Sequence, residues 1–239
     1  MTPRYLFLKD IPEGKLCDYL LASASCFPAV QAKDIDGSKF IDGGYADVLP
    51  VGLSLERGAT SIIAVDLQAT GLVRKDALTL AKDKTAELTL IKSHWYLGNF
   101  LIFNKTNTER IIRLGYLYTL KALGEYDGKK FTFISSSLEA RRLSSAEAAA
   151  ELFEMDPTEV YDKESFNNQL REKIKAAPPP GIDEIHSFES LREKLKGSTL
   201  VLYIANRLRE HEENSNFMKS PTFKLLREEI IAANYIVRN

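Results

Sequence analysis

Cysteine, histidine, surplus charge and long apolar runs are all scarce in this chain, and each scarcity closes off a class of protein. Its 239 residues hold only two cysteines, Cys17 and Cys26. They match no metal-ligand spacing and lie in apolar context, so they read as buried thiols in a reducing compartment. The three histidines, His94, His186 and His211, read as surface or structural residues. Charge is balanced at 32 basic against 33 acidic residues, a net of −1. That leaves no electrostatic footprint for nucleic acid. No apolar run approaches the length of a membrane span. Tyr5–Leu8 is apolar, but Lys9 and Asp10 cut it off before it can serve as a secretion signal. The expectation is a cytoplasmic chain whose membrane contact is peripheral at most. Repeats and low-complexity tracts are missing too. Hydrophobic residues make up 44%, enough for a sizeable core and too many for global disorder.

What is present begins as an alternation of strand and helix signals. Arg4–Asp10 has the pattern of a short strand. Glu13–Cys26 is helical in period, with Leu16, Leu20, Leu21 and Ala24 on one face and Phe27–Pro28 as its end. Ser38–Asp42 reads as a strand. Pro50 suits the first turn of a helix that Gly58 closes. Ser61–Leu67 is a nearly continuous apolar run, as in a parallel strand buried on both faces. Strand, helix and strand in this order predict a right-handed βαβ unit. Ile41 and Ile63 are then expected on adjacent or near-adjacent parallel strands, with the helix from Pro50 to Arg57 crossing between them.

This pattern puts Asp42 at the carboxyl end of a strand, followed at once by Gly43 and Gly44. Open α/β sheets place their sites at such ends. The glycines permit unusual backbone angles and close approach by another group. Asp-Gly is equally a common turn pair. On residue type alone Asp42 is a turn residue, a metal ligand or a catalytic base. Asp34, Asp36, Asp42 and Asp47 are dense enough to raise calcium, but they do not follow the spacing of a calcium loop, and no glutamate closes one.

Further along, a strand is expected before Trp95. Thr106–Gly124 reads as a helix with Thr108 as cap, Ile111, Ile112, Leu114 and Tyr118 at helical spacing, and Gly124 as its stop. Lys129–Ser135 is a strand candidate. Ser144 and Glu147 have capping-box spacing. From Asp156 onward the pattern is helical. Asp156–Pro157 forms a start signal, Phe166, Leu170 and Ile174 recur every four residues, Ala176–Gly181 is a stiff break, and Ser220–Pro221 opens a last helix. The mixed charges of these helices read as solvated faces.

Residues 20–67 resemble the segment around the catalytic aspartate of patatin-like phospholipases. The resemblance rests on Ala22–Ser23, Pro28, Asp42–Gly43–Gly44, Pro50, Gly58–Ala59 and Val65–Asp66, in that order. It extends more loosely from Tyr5 to Gly124. Val48 stands where family members usually have asparagine. The resemblance implies an α/β fold: residues 1–155 as the C-terminal part of a three-layer α/β/α patatin-like domain, and 156–239 as a largely helical C-terminal region.

It further implies that Asp42 is the base of a Ser–Asp dyad, in the active-site turn Gly43–Gly44, acting on a lipid or other ester substrate without cofactor or metal. The family's nucleophile lies upstream in Gly-x-Ser-x-Gly, behind a glycine-rich oxyanion loop. Only 41 residues precede Asp42, and none spell that elbow. Gly52–Leu53–Ser54–Leu55–Glu56 lacks the final glycine and falls within the expected helix. The chain therefore reads as the portion of a serine hydrolase that carries the aspartate. Its partners are the missing N-terminal part of the same enzyme and, through uncovered apolar surface, other copies of itself. His94–Phe103 reads as core packing or the wall of an acyl groove. The alternative is a non-catalytic interaction or binding module of the same fold.

Overall fold

The computed structural model describes residues 2–69, 87–99, 102, 104–178, 195, 197–210 and 226–239. The protein is mixed α/β, with seven α-helices and three small sheets among the described residues. It divides into two compact units, Met1–Ser93 and His94–Asn239.

In the first unit, helix α1 (Leu16–Ser23) precedes an antiparallel hairpin of β1 (Lys33–Ile35) and β2 (Ser38–Phe40). The hairpin turn is Asp36–Gly37, at φ 51° and 79°. Positive φ at both central residues gives the tight turn whose twist matches paired strands. Asp34 Oδ1 accepts the Gly37 amide at 3.0 Å and locks it. Helix α2 (Val51–Glu56) follows Pro50 as cap and ends before Gly58 at φ 80°. Strand β3 (Ser61–Asp66) then pairs in parallel with β4 (Glu87–Lys92). The Asp66–Lys92 ion pair, at 2.7 Å, ties their carboxyl ends together.

Five expectations are corrected here. β2 pairs with β1 rather than beside β3, because a two-residue turn closes a hairpin at far less entropic cost than a crossover. Arg4–Asp10 holds a short 3-10 turn at Leu8–Asp10 instead of a strand. The apolar face of α1 is outward: Leu16, Leu20 and Leu21 are exposed and only Ala22 is buried. Cys17 is exposed and Cys26 half-buried, so neither is the buried thiol expected. β3 alternates instead of burying both faces. Ile62 and Ala64 pack with Leu49 and Val51, while Ile63 is 66% and Val65 51% exposed.

The second unit contains helix α3 (Lys105–Ala122), a sheet of β5 (Tyr126–Asp127), β6 (Thr132–Ile134) and β7 (Val160–Tyr161), and helices α4 (Ala140–Leu152), α5 (Lys163–Ala176), α6 (Gly197–Glu210) and α7 (Arg227–Arg238). β6 is central, antiparallel to β5 and parallel to β7. The core is aromatic: Phe166 sits edge-on to Phe133 at 5.2 Å, Tyr161 at 5.6 Å and Tyr235 at 5.8 Å. Ala146, Ala149 and Ala150 let α4 approach the other helices closely. The step expected at Asp156 falls inside this unit, whose core draws on residues from both sides of it.

Local signals here changed roles. Asn104, not Thr108, caps α3, its Oδ1 accepting from Asn107 N. Asp156 starts no helix; its Oδ1 accepts from Thr158 N and Oγ1 in a turn before β7, and Asp162 caps α5 instead. Ser144 lies inside α4, and Glu147 holds a distant turn: its Oε1 accepts from Lys129 N, Lys130 N and Phe131 N at 2.6, 2.7 and 3.1 Å. Lys121 Nζ grips the same turn from the other side, donating to the carbonyls of Lys129 and Phe131. Gly128, at φ 103°, leaves no room for a Cβ, which would lie 2.3 Å from Phe131 O. Burial pushes the Lys121 ammonium down to about 8, against a smaller opposing pull from Glu147. The expected break beyond Pro178 and the cap at Ser220–Pro221 lie outside the described residues.

Candidate functional site

Asp42 lies two residues beyond β2 and caps the short 3-10 turn Gly43–Tyr45. Its Oδ1 accepts the Gly44 amide at 2.7 Å, and its own amide donates to Ser25 O at 3.0 Å. The second bond ties the turn to the loop that follows α1. That loop is tied again by Tyr45, whose hydroxyl donates to Phe27 O. The Cys26 thiol lies 3.8 Å from the same hydroxyl. This contact pushes the Tyr45 phenol up, with burial and the Asp42 charge adding to it. Asp47 Oδ1 then accepts the Leu49 amide at 3.1 Å and delivers the chain to Pro50 and α2.

The two glycines act differently from each other. Neither has positive φ, so unusual backbone angles are not their contribution. A Cβ on Gly44 would meet Asp42 Oδ1 and Val48 Cγ1, each at 3.1 Å. Gly44 is therefore small to let the carboxylate fold back onto its amide. A Cβ on Gly43 would meet nothing within 4 Å, so this residue leaves open space beside Asp42. The Asp42 carboxylate is half-buried and spends one oxygen on Gly44; Oδ2 has no protein partner among the described residues. This is a fixed acceptor with one free face.

The structure brings no serine hydroxyl to that face among the described residues. Ser54 is on α2, half-buried. Ser25 is buried and its hydroxyl donates to Leu21 O. Ser23 ends α1 and is exposed. The acidic cluster separates as well. Asp34 holds the hairpin turn, Asp36 pairs with Lys15 at 2.9 Å, Asp42 caps Gly44 and Asp47 caps Leu49. Among the described residues no three His, Cys, Asp or Glu side chains converge as a metal site.

His94 belongs to the second unit, where it stacks on Tyr118; burial foremost, then the Lys121 charge, pushes its imidazole below the usual 6.5. His186 and His211 lie outside the described residues. Of His94–Phe103, Trp95 packs edge-on against Phe131, while Tyr96 and Ile102 are exposed; Phe100, Leu101 and Phe103 lie outside the described residues. Sequence reasoning missed the antiparallel hairpin that delivers Asp42 to its position. Its signal was the Asp36–Gly37 pair between two strand-forming runs.

No family model, curated protein or solved structure matches the chain. Among the described residues no helix is long and apolar enough to cross a membrane.

Proposed function

We propose that this chain is the aspartate-bearing portion of a patatin-like serine acyl hydrolase, a phospholipase or lipid esterase, that supplies the general base but not the nucleophile. The observation that carries the reading is the Asp42 turn: one oxygen anchored on Gly44, the other free, open space at Gly43, and a helix and parallel strand following as in the patatin-like order. A carboxylate is a weak base and works when held against its nucleophile in a partly desolvated site. Asp42 would take the serine proton as the hydroxyl attacks the ester carbonyl, and a glycine-rich loop outside residues 1–239 would hold the oxyanion. The three-layer sheet of that family would be completed by strands from the same source.

Alone, the chain should neither hydrolyse nitrophenyl esters nor label with a fluorophosphonate. Adding a polypeptide that carries the family's oxyanion loop and Gly-x-Ser-x-Gly elbow should create esterase activity. Asp42→Asn should lower that activity by about 10²–10⁴. Labelling of the chain alone, or full activity in the Asn variant, overturns the reading.

The exposed Ile63, Val65, Leu67 and Leu90 favour a second reading, a non-catalytic module that docks through this apolar surface onto a partner or another copy. Light scattering after size exclusion separates the two. Self-association that Ile63→Ser with Val65→Thr abolishes, with no activity gained on adding the elbow-bearing polypeptide, would favour the module.

A further inference from the structure

The second unit carries a groove that the Asp42 site does not use. It is about 340 Å³ in volume and runs along one face of α5, bounded by the C-terminal parts of α6 and α7. Leu170, Ile174 and Ile236 form an apolar floor, and Arg171, Lys175 and Arg209 stand around it. Among the described residues no aspartate or glutamate side chain lines it. The volume is at the low end of the roughly 300–1,000 Å³ of small-ligand sites, which pair an apolar lining with a few placed polar groups.

The cations are incompletely neutralised. Arg171 donates to Asn168 Oδ1 and to a main-chain oxygen of Asn239, which in this 239-residue chain belongs to the terminal carboxylate and partly neutralises it. Among the described residues Arg209 meets only Asn206 Oδ1, at 3.5 Å. Lys175 pairs with Glu172, but both side chains are about 70% exposed, and such a pair is worth little in water. A shallower depression next to the groove shares Asn167 and Arg171 and adds Lys163 and Glu164. A plainer account exists for part of this pattern: Lys175 and Arg209 lie in the last turns of α5 and α6, where cations offset the helix dipole. That account explains their charge but not their gathering around an apolar floor.

We propose that this groove binds a single-chain amphiphile with a monoanionic head, a fatty carboxylate, its tail on Leu170, Ile174 and Ile236 and its head among Arg171, Lys175 and Arg209. Charge complementarity selects the head, since among the described residues three cations face the space against the single terminal carboxylate of Asn239. The floor selects the tail, and the small volume favours one chain over two. The inference does not rest on the hydrolase reading, because every lining residue belongs to the second unit.

Titration calorimetry of the whole chain with decanoate, below its micelle-forming range, tests it. Saturable one-to-one binding is expected. Decanol and hexanoate should each bind at least tenfold more weakly, because one lacks the charge and the other most of the apolar contact. Lys175→Glu combined with Arg209→Glu should weaken decanoate at least tenfold, while Lys173→Glu on the same helix, outside the lining, leaves it unchanged. A circular dichroism melt checks that each variant is folded. Absence of saturable binding, equal binding of decanol, equal binding of inorganic phosphate, or the same loss in Lys173→Glu overturns the proposal. So does a double variant that melts lower yet binds decanoate normally, since the cations would then serve only the helix ends.

Discussion

The two units face the same solvent with opposite economies of apolar surface. Among its described residues the first buries few large side chains; Ile35, Leu49, Val51, Ile62 and Ile91 are the main ones, with Ala22 and Ala64. It leaves Leu8, Leu20, Leu21, Phe27, Ile63, Val65 and Leu67 more than half exposed. The second packs Phe131, Phe133, Tyr161, Phe166, Leu114 and Leu117 to less than 2% exposure. It also satisfies its tightest turn with a carboxylate on three amides and an ammonium on two carbonyls. The difference teaches that a unit can hold a well-formed local site without the core that usually supports one. The Asp42 turn is fixed by bonds within 20 residues of itself, to Gly44 and Ser25.

The comparison breaks most visibly through core truncation. Phe166→Ala should cost about 3–5 kcal/mol, because it removes a ring in contact with three others. Ile63→Ala, on the uncovered face of β3, should stay within about 0.5 kcal/mol. Urea denaturation of both variants measures this. Equal losses would mean that the Ile63 face is covered in solution and that the contrast between the units is false.

A smaller effect is expected at the turn. Glu147→Gln keeps the shape but trades a charged acceptor for a neutral one, and should cost about 2–3 kcal/mol, since bonds to charged groups are the stronger kind. Asp42→Asn loses a single charged bond at a half-buried site and should cost about 1 kcal/mol or less. If Asp42→Asn proved the more destabilising, Asp42 would be a structural linchpin of its unit, and its case as a poised base would weaken.

A separate expectation is a pH slope confined to the second unit. Lys121 holds its proton in the fold only up to about pH 8, whereas its ordinary value is 10.5. Between these values the unfolded chain binds more protons than the native one, so this group makes stability rise with pH. Tyr235, pushed up to about 12 by burial, and Tyr161, raised by the same cause, act in the opposite sense above pH 10. There the unfolded chain sheds protons that the native chain keeps, and stability falls. Urea midpoints from pH 7 to 11 should therefore pass through a maximum near pH 10, with a flatter rising limb in Lys121→Met. Parallel curves for wild type and variant between pH 8 and 10 would remove Lys121 from the account.

Much of the chain was legible from periodicity and caps alone. Helices α2 and α5 and strands β3, β4 and β6 fall within the segments read for them, and α3 begins one residue before its own, because each has a local stop signal or an apolar repeat strong enough to act without context. Phe166 and Leu170 are buried as their four-residue repeat requires. At the candidate site the sequence was enough to place Asp42 in a turn directly after a strand, since Asp-Gly-Gly offers the chain little else.

Partners across space were not legible. An apolar stripe states that a face can be buried, not that it is, so Leu16, Leu20 and Leu21 lie exposed on α1, and Ile112 on α3, while Phe166 and Leu170 on α5 are sealed. Glu147 had the spacing of a helix cap, yet it serves a turn 16 to 18 residues earlier, because α4 begins upstream at Ala140 and leaves the Glu147 carboxylate in its interior, where the fold brings the amides of that turn to it. Gly44 proved to be a matter of space and not of backbone angle. The sequence by itself determined which local pieces form, because capping, turn geometry and side-chain period act over a few residues. Tertiary structure decided which strand pairs with which, which face is covered and which carboxylate meets which amide, because those energies depend on groups far apart in the chain that only folding brings together.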